Sequence, residues 1–306
     1  MSIQRGIVRG PLRGLKRGLN GDTSSGDPVA YTRGVSESVT AGEAVGRSFG
    51  KVLGLSESAT LGNSITSVGA PPLDGPSSAI YVPQNAADFT FLGLTAPNSL
   101  WLMQESSGNL SDSIGSLTLT ANGTPLYQQS VTNWTRKGIG FNGGTNQRMA
   151  AASGTGPSPA STSTLWLGYC VFTGGSPAAG KGFMFGGATP FLQQTSTDRI
   201  RITGPGSNTA DDATTLPGAD ATVHPIAMLY DRTNSRISVY TNEAKTAATY
   251  NSGATDGQKG FGGMGAVTAS ATFSVVWGAM WSGSAAEMSD ANVKSLLQGL
   301  GWTIPW

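Results

Sequence analysis

One cysteine and one histidine stand in 306 residues, and each scarcity excludes chemistry. Cys170 alone permits no intrachain disulfide. It lies in the apolar run TLWLGYCVF (164–172), where it reads as a small buried hydrophobe. His224, in VHPIAM, precedes a proline at the start of a predicted strand and reads as a packing residue. A zinc site needs more than one His and one Cys. A Ser-His-Asp triad would have to use His224 as its base. The Gly-Lys pair of AAGKGF (178–183) is followed by Gly182, where a phosphate loop needs Ser or Thr.

Charge is also scarce. Only 12% of the residues are charged, against about 25% in ordinary globular chains. No apolar stretch approaches the ~20 residues that span a bilayer. No unbroken apolar run follows the first basic residues, so no secretory signal is read there. The expectation is synthesis in the cytoplasm without export and no membrane insertion.

What the chain has is glycine, 44 residues of it, and a patterned start. In RGIVRGPLRGLKRGLNG (5–21) an Arg-Gly pair recurs every four residues: Arg5-Gly6, Arg9-Gly10, Arg13-Gly14 and Arg17-Gly18. Four glycines within thirteen residues disfavour a free helix, at roughly 1 kcal/mol each relative to Ala. In an extended chain a period of four puts every Arg on one face, with Ile7, Pro11, Leu15 and Leu19, and every Gly on the other. Such a segment reads as an arm that orders on a partner. The Gly face, with Gly10 and Gly14 at its centre, would admit a neighbouring backbone. Arg5, Arg9, Arg13 and Arg17 would pair with acidic groups or phosphate. The alternative is a tail without a role.

Residues 1–20 hold five basic residues and no acid, which leaves 14 basic and 18 acidic residues, a net of −4, for the rest. The body is therefore not a nucleic-acid binder by charge. Three zones follow: a basic arm over 1–34, a repeat zone over 35–78, and a β-rich body over 79–306. The repeats are VSESVTAGEAV from Val35 and LSESATLGNSI from Leu55. Two copies cannot cover their own faces, so they read as a stalk that pairs with copies from other chains. A low-complexity linker is the other reading. GAPPLDGPSS (69–78) reads as the join.

The body carries strand signals. SLTLT (116–120) and RIRIT (199–203) alternate apolar and polar residues. TLWLGYCVF and FSVVWGAMW (273–281) are apolar on both faces, as strands between layers are. HPIAMLYD (224–231) and RISVYTN (236–242) flank the turn-like RTNS. One helix is predicted near the end, capped by Ser289, with Val293, Leu296, Leu297 and Leu300 at helical spacing. The sum is an all-β, two-sheet sandwich with a short C-terminal helix.

Three motifs in order resemble the laminin-G-like, concanavalin A-like jelly-roll superfamily, over roughly residues 95–302. SLWLMQESSGNLSDSIGSLTLT resembles its opening strand and acidic turn, with Trp101, Glu105, Gly108, Asp112 and Gly115 at the matching positions. GIGFNGG (138–144) resembles its next strand. VHPIAMLYDRTNSRISVYTNEAK (223–245) resembles its central pair, except that Glu243 stands where Gly is usual, which puts the following tight turn in doubt. Arm, stalk and lectin-like body together resemble virion proteins of tailed bacteriophages: capsid decoration proteins, head fibres and tail fibres. That resemblance implies a virion location, other capsid or tail subunits as partners, and a trimer or other symmetric homo-oligomer. It also leaves open a host surface glycan as a ligand.

Three site chemistries follow from this reading. Related folds bind calcium at loop carboxylates and carbonyls, and Asn109 and Asp112 are the candidates here; an Asx-turn is the alternative for Asp112. Glycan stacking needs an exposed aromatic. Trp101, Trp166 and Trp277 sit in apolar strands, whereas Trp134 and Trp306 are expected at the surface, for sugar or for an interface. Glycoside hydrolysis needs two carboxylates across a groove. No Glu-x-Asp-x-Glu strand is present, and the adjacent Asp211 and Asp212 would face opposite ways on a strand. The expectation is a structural protein that is not an enzyme and needs no cofactor.

Overall fold

The computed structural model describes residues 71–74, 80–144, 146–172, 181–194, 199–203, 209–215, 222–249, 254–263, 271–283 and 289–306. The Arg-Gly arm and, apart from 71–74, the repeat zone lie outside the described residues.

Strands β1 (Leu73–Asp74) and β2 (Ile80–Tyr81) precede a six-residue helix, α1 (Ala86–Phe91). Then come β3 (Ser99–Trp101), β4 (Thr120–Asn122), β5 (Leu126–Ser130), β6 (Lys137–Asn142), β7 (Arg148–Ala151) and β8 (Thr164–Phe172). The next five are β9 (Lys181–Phe185), β10 (Phe191–Gln194), β11 (Arg199–Thr203), β12 (Thr209–Thr215) and β13 (Val223–Asp231). The chain closes with β14 (Arg236–Tyr240), β15 (Lys245–Thr249), β16 (Lys259–Gly262), β17 (Thr272–Ser282) and helix α2 (Asp290–Gly299).

One sheet runs β12-β11-β10-β9-β16-β7-β4. The other runs β15-β14-β13-β8-β17-β6-β5, and β3 also pairs with β17. The pairings are antiparallel, as in β8 with β13 and with β17. The two-sheet β-sandwich with a C-terminal helix expected from the sequence is the fold the chain adopts.

The second sheet is buried on both faces, and period two explains how. On β8, Trp166, Cys170 and Phe172 enter the core between the sheets, with Met228 and Tyr230 of β13 and Phe273 and Val275 of β17. The alternate residues Leu165, Leu167, Tyr169 and Val171 face the other way. There they join Trp277 and Trp281, Phe89 of α1, Val293, Leu296 and Leu297 of α2, and Trp302. All nine β8 residues are buried. A strand covered on both sides reads as a continuous apolar run. Each large side chain so buried contributes roughly 1.5–3 kcal/mol.

The inter-sheet core is ordered by a ring cluster. Trp101 and Trp166 stack at 5.5 Å with planes 8° apart, and Phe261 of β16 stands edge-on to both at 6.3 Å. Phe261 fits because Gly168 and Gly278 are cross-strand partners beneath it. A Cβ at Gly278 would lie 2.8 Å from the Phe261 ring, and one at Gly168 would lie 3.0 Å away.

Several sequence readings need adjustment. SLTLT is not a full strand: Leu119 makes an isolated bridge to Leu110, and β4 begins only at Thr120. The alternation itself holds, since Leu117 and Leu119 are buried. A second helix, α1, was not predicted. Its six residues are too few for a period to register, although Asn85 caps it by accepting from the N–H groups of Ala87 and Asp88. The predicted Ser289 cap is present and accepts from the Asn292 N–H at 3.3 Å. The turn in doubt at Glu243 is closed by a side chain. Thr241 Oγ1 accepts from the N–H groups of Glu243 and Ala244, at 3.2 and 3.0 Å.

The Pro- and Gly-rich join also contributes to packing. Leu73 and Asp74 pair with Tyr81 and Ile80. Asp74 is buried, and its carboxylate accepts from the Thr135 N–H, the Thr135 hydroxyl and the Arg136 N–H at 3.0–3.1 Å.

Candidate functional site

Of the seven tryptophans, six are buried and Trp306 alone is not. This corrects the surface position expected for Trp134. It is 9% exposed and meets Tyr169 edge-on at 6.2 Å, within the core beneath the helices. Its neighbours Thr132, Asn133 and Thr135 are exposed, and that polar setting made TNWTRKG read as a surface segment.

Trp306 lies where the β14–β15 edge meets α2. Its indole N–H donates to the Thr241 carbonyl at 2.9 Å, which ties the terminal segment to the β14–β15 turn. One flank of the ring packs on Tyr240, with centroids 5.5 Å apart. The ammonium groups of Lys245 and Lys294 each stand 5.9 Å from its centroid, within cation–π range. Lys294 also donates to the main-chain oxygen of Trp306.

Asp290 organises the charges around the ring. Its Oδ1 accepts from the Tyr240 hydroxyl at 2.9 Å and lies 3.7 Å from the Arg236 guanidinium. Its Oδ2 accepts from Lys245 at 2.8 Å. Burial works to raise the Asp290 pKa, but the bonds from Lys245 and Tyr240 and the charges of Lys245 and Arg236 outweigh it. The carboxyl is held below its ordinary value. Burial likewise pushes the Tyr240 phenol up, so it stays a donor at neutral pH. Helical spacing explains the placement on α2. Val293, Leu296 and Leu297 point into the core, which leaves Asp290 and Lys294, four apart, on the flank beside β15. The result is a partly exposed aromatic ring framed by three cations, a carboxylate and a phenol.

The other expected positions are distributed differently. Arg5, Arg9, Arg13, Arg17, Gly10 and Gly14 lie outside the described residues. Asp112 has its carboxylate filled by main chain. Oδ1 accepts from the N–H groups of Leu100, Ile114 and Gly115 at 2.8–3.0 Å, and Oδ2 accepts from Leu117 at 3.0 Å. Burial works to raise its pKa, but these bonds prevail and lower it. Gly115 is required beside it, because a Cβ there would stand 2.3 Å from the Asn98 carbonyl. Asn109 Oδ1 instead meets the Ala121 N–H at 3.4 Å. Asp112 thus organises the turn as an acceptor of N–H groups. Among the described residues, no group of three or more His, Cys, Asp or Glu gathers in one place. His224 is buried, with Nδ1 3.1 Å from Asn242 Oδ1. No helix among the described residues is long and apolar enough to cross a membrane.

Sequence reasoning missed a buried lysine. Lys259 is wholly enclosed and donates to Asp256 at 2.5 Å and to the carbonyls of Thr155 and Gly257 at 3.0 and 3.1 Å. The motif KGFG carries no local sign of it.

No protein-family model matches the chain, and no curated protein matches it in sequence. Solved structures do resemble it. A sialidase from Trypanosoma rangeli in complex with sialic acid aligns at 14% identity and a TM-score of 0.49, covering 76% of this chain and 36% of that one. The binding domain of botulinum neurotoxin serotype D aligns at 7% identity and a TM-score of 0.46, covering 67% and 51%. Domain 4 of an extracellular arabinanase from Geobacillus stearothermophilus, in complex with arabinotriose, aligns at 14% and 0.40, covering 63% and 96%. The chain thus spans about a third of the sialidase's length. With sialidases among these structures, the expectation that the chain is not an enzyme does not stand. At such identities the likeness is one of fold and assigns no activity.

Proposed function

We propose that the chain is a virion component whose β-sandwich binds a glycan. The observation that carries the glycan reading is Trp306. It is the one tryptophan left partly exposed, and hydrogen-bonding side chains frame it. A sugar offers an apolar C–H face and a rim of hydroxyls, and a ring bordered by fixed polar groups is complementary to both.

The virion reading rests on the sequence. A basic Gly-rich arm, a Ser-Glu-Ser repeat zone and a β-rich body make a layout of anchor, stalk and displayed head. The arm joins the protein to other virion subunits, and the repeats associate chains, as a trimer, so that several sandwiches face outward together. Weak single-site affinities then multiply through avidity.

Two measurements test this. A glycan array probed with the full chain should give signals that Trp306→Ala reduces at least about tenfold, the loss of a central aromatic contact. Signals insensitive to that change, or no signal, would remove the glycan reading. Particles assembled with residues 1–20 deleted should lack the protein. Full incorporation would mean that the arm is not the anchor.

A further inference from the structure

We infer that residues 104–111 form a strap that guards the open edges of both sheets, β4 and β5, against pairing with a strand from another copy of the chain. Each sheet has two terminal strands. On one side of the sandwich β12 of the first sheet adjoins β15 of the second. On the other side the terminal strands are β4 and β5. A terminal strand presents main-chain N–H and C=O groups that template association. Charged side chains are a common deterrent at such an edge. Here they are missing: no charged residue stands between Asp112 and Arg136, a stretch that contains both strands. Among the described residues Leu73 and Leu126 are the exposed large hydrophobics, and Leu126 opens β5. An uncharged edge that also carries an exposed leucine is a surface that a second chain would extend if nothing covered it.

The strap covers it from both sheets at once. Met103 and Leu110, both buried in the inter-sheet core, pin it at either end. Glu105 closes it on itself by accepting from the Ser111 N–H at 2.9 Å. Toward β4, Leu110 exchanges both main-chain hydrogen bonds with Leu119, at 2.8 and 3.1 Å. The next N–H along that edge, of Ala121, meets the Asn109 Oδ1 at 3.4 Å, so a side chain stands where an incoming strand would continue the ladder. Toward β5, the Gln128 side-chain amide donates to the carbonyls of Gln104 and Glu105 at 2.6 and 3.0 Å. The Tyr127 hydroxyl donates to the Gly108 carbonyl. Gln128 has a φ of +54° and lies in the register shift between Leu126 and Gln129. A bulge of this kind bends an edge away from straight pairing. Gln104 also donates to the Lys137 carbonyl of β6 at 2.7 Å. The strap has this role whether or not the sandwich binds a glycan. It matters most where chains are held together, since tethering raises their local concentration.

The test uses the full chain and the triple variant Asn109→Ala, Tyr127→Phe, Gln128→Gly. Gly at 128 keeps the positive φ and removes only the amide. Hydrogen exchange across 104–111 should be faster in the variant, because the bonds that hold the strap are gone. Sedimentation over a range of concentrations should then show the variant, and not the original chain, forming species at least twice the original mass. Amides of β4 and β5 should become more protected as these species form. Adding Leu126→Lys to the triple variant should restore the original sedimentation, because a charge on the edge replaces the strap. If the triple variant loses the circular dichroism spectrum of the original chain, Gln128→Gly alone carries the same test with the same expected outcome. Unchanged exchange across 104–111 overturns the inference, because these bonds then do not hold the strap. A released strap without added association overturns it as well. So does association that leaves β4 and β5 unprotected or that Leu126→Lys does not reverse, since another surface is then responsible.

Discussion

Lys259 is wholly buried on β16 and holds Asp256, three residues before it, at 2.5 Å. Its remaining donors go to the carbonyls of Thr155 and Gly257. Asp256 Oδ2 accepts from the Gly154 N–H, so one ion pair ties together two loops about a hundred residues apart in sequence. Lys259→Met leaves two carbonyls and a carboxylate without their donor. Asp256 keeps partial solvent access and the Gly154 N–H, so the main loss is that of the buried donor to its acceptors, about 1–3 kcal/mol. Urea unfolding should show that loss, and a change below about 1 kcal/mol would mean that the loops hold without it.

The same pair gives a pH signature. Burial works to raise the Asp256 pKa, but the Lys259 bond and the N–H groups of Gly257 and Gly154 outweigh it and lower it. Asp112 is lowered as well, by the N–H groups it accepts. A carboxyl with a depressed folded pKa stabilises the protein above its unfolded value, near 4, and loses that contribution as pH falls through the folded value. Stability should therefore be flat near neutrality and fall below about pH 4. In Asp112→Asn the fall should be shallower, because one of the titrating groups is gone. Thermal midpoints from pH 7 to pH 2 make the comparison.

Gly168 and Gly278 should tolerate no side chain while Phe261 lies over them. Gly278→Ala sets a methyl group 2.8 Å from the ring, and overpacking of this kind costs about 1–3 kcal/mol. Phe261→Leu costs stability by itself through the cavity it opens. The two changes together should cost less than their sum, because the smaller side chain admits the methyl. A double-mutant cycle in urea reads this directly, and strict additivity would show that the glycine pair is not there for the ring.

A chain starting at Pro71 should be more stable than one starting at Ala79, the boundary that composition suggests. Only the longer chain keeps Asp74 on Thr135 and Arg136. Burial lowers the pKa of the Arg136 guanidinium, and the charge of Asp74 works against that. Loss of the carboxylate should cost about 1–3 kcal/mol. Equal unfolding midpoints for the two chains would remove the join from the folded unit.

Much of the sandwich could be read directly from residue order. TLWLGYCVF coincides with β8 because a strand between two layers must be apolar on both faces, and that is a local property. RIRIT is β11 for the complementary reason: only one of its faces enters the core, through Ile200 and Ile202. The α2 cap was legible because Ser289 acts on the N–H of Asn292, three residues away. Tertiary structure alone decided which charges and rings are covered. Lys259 reads as a surface lysine until Thr155, 104 residues earlier, comes to meet it. Trp134 and Trp306 both stand among polar neighbours in sequence, yet Trp134 is closed off by Tyr169, whereas Trp306 lies at the edge of β14, β15 and α2. Periodicity reports which way a side chain faces relative to its own backbone. What covers that face comes from elements distant in the chain, so burial at these positions is settled only by the assembled fold.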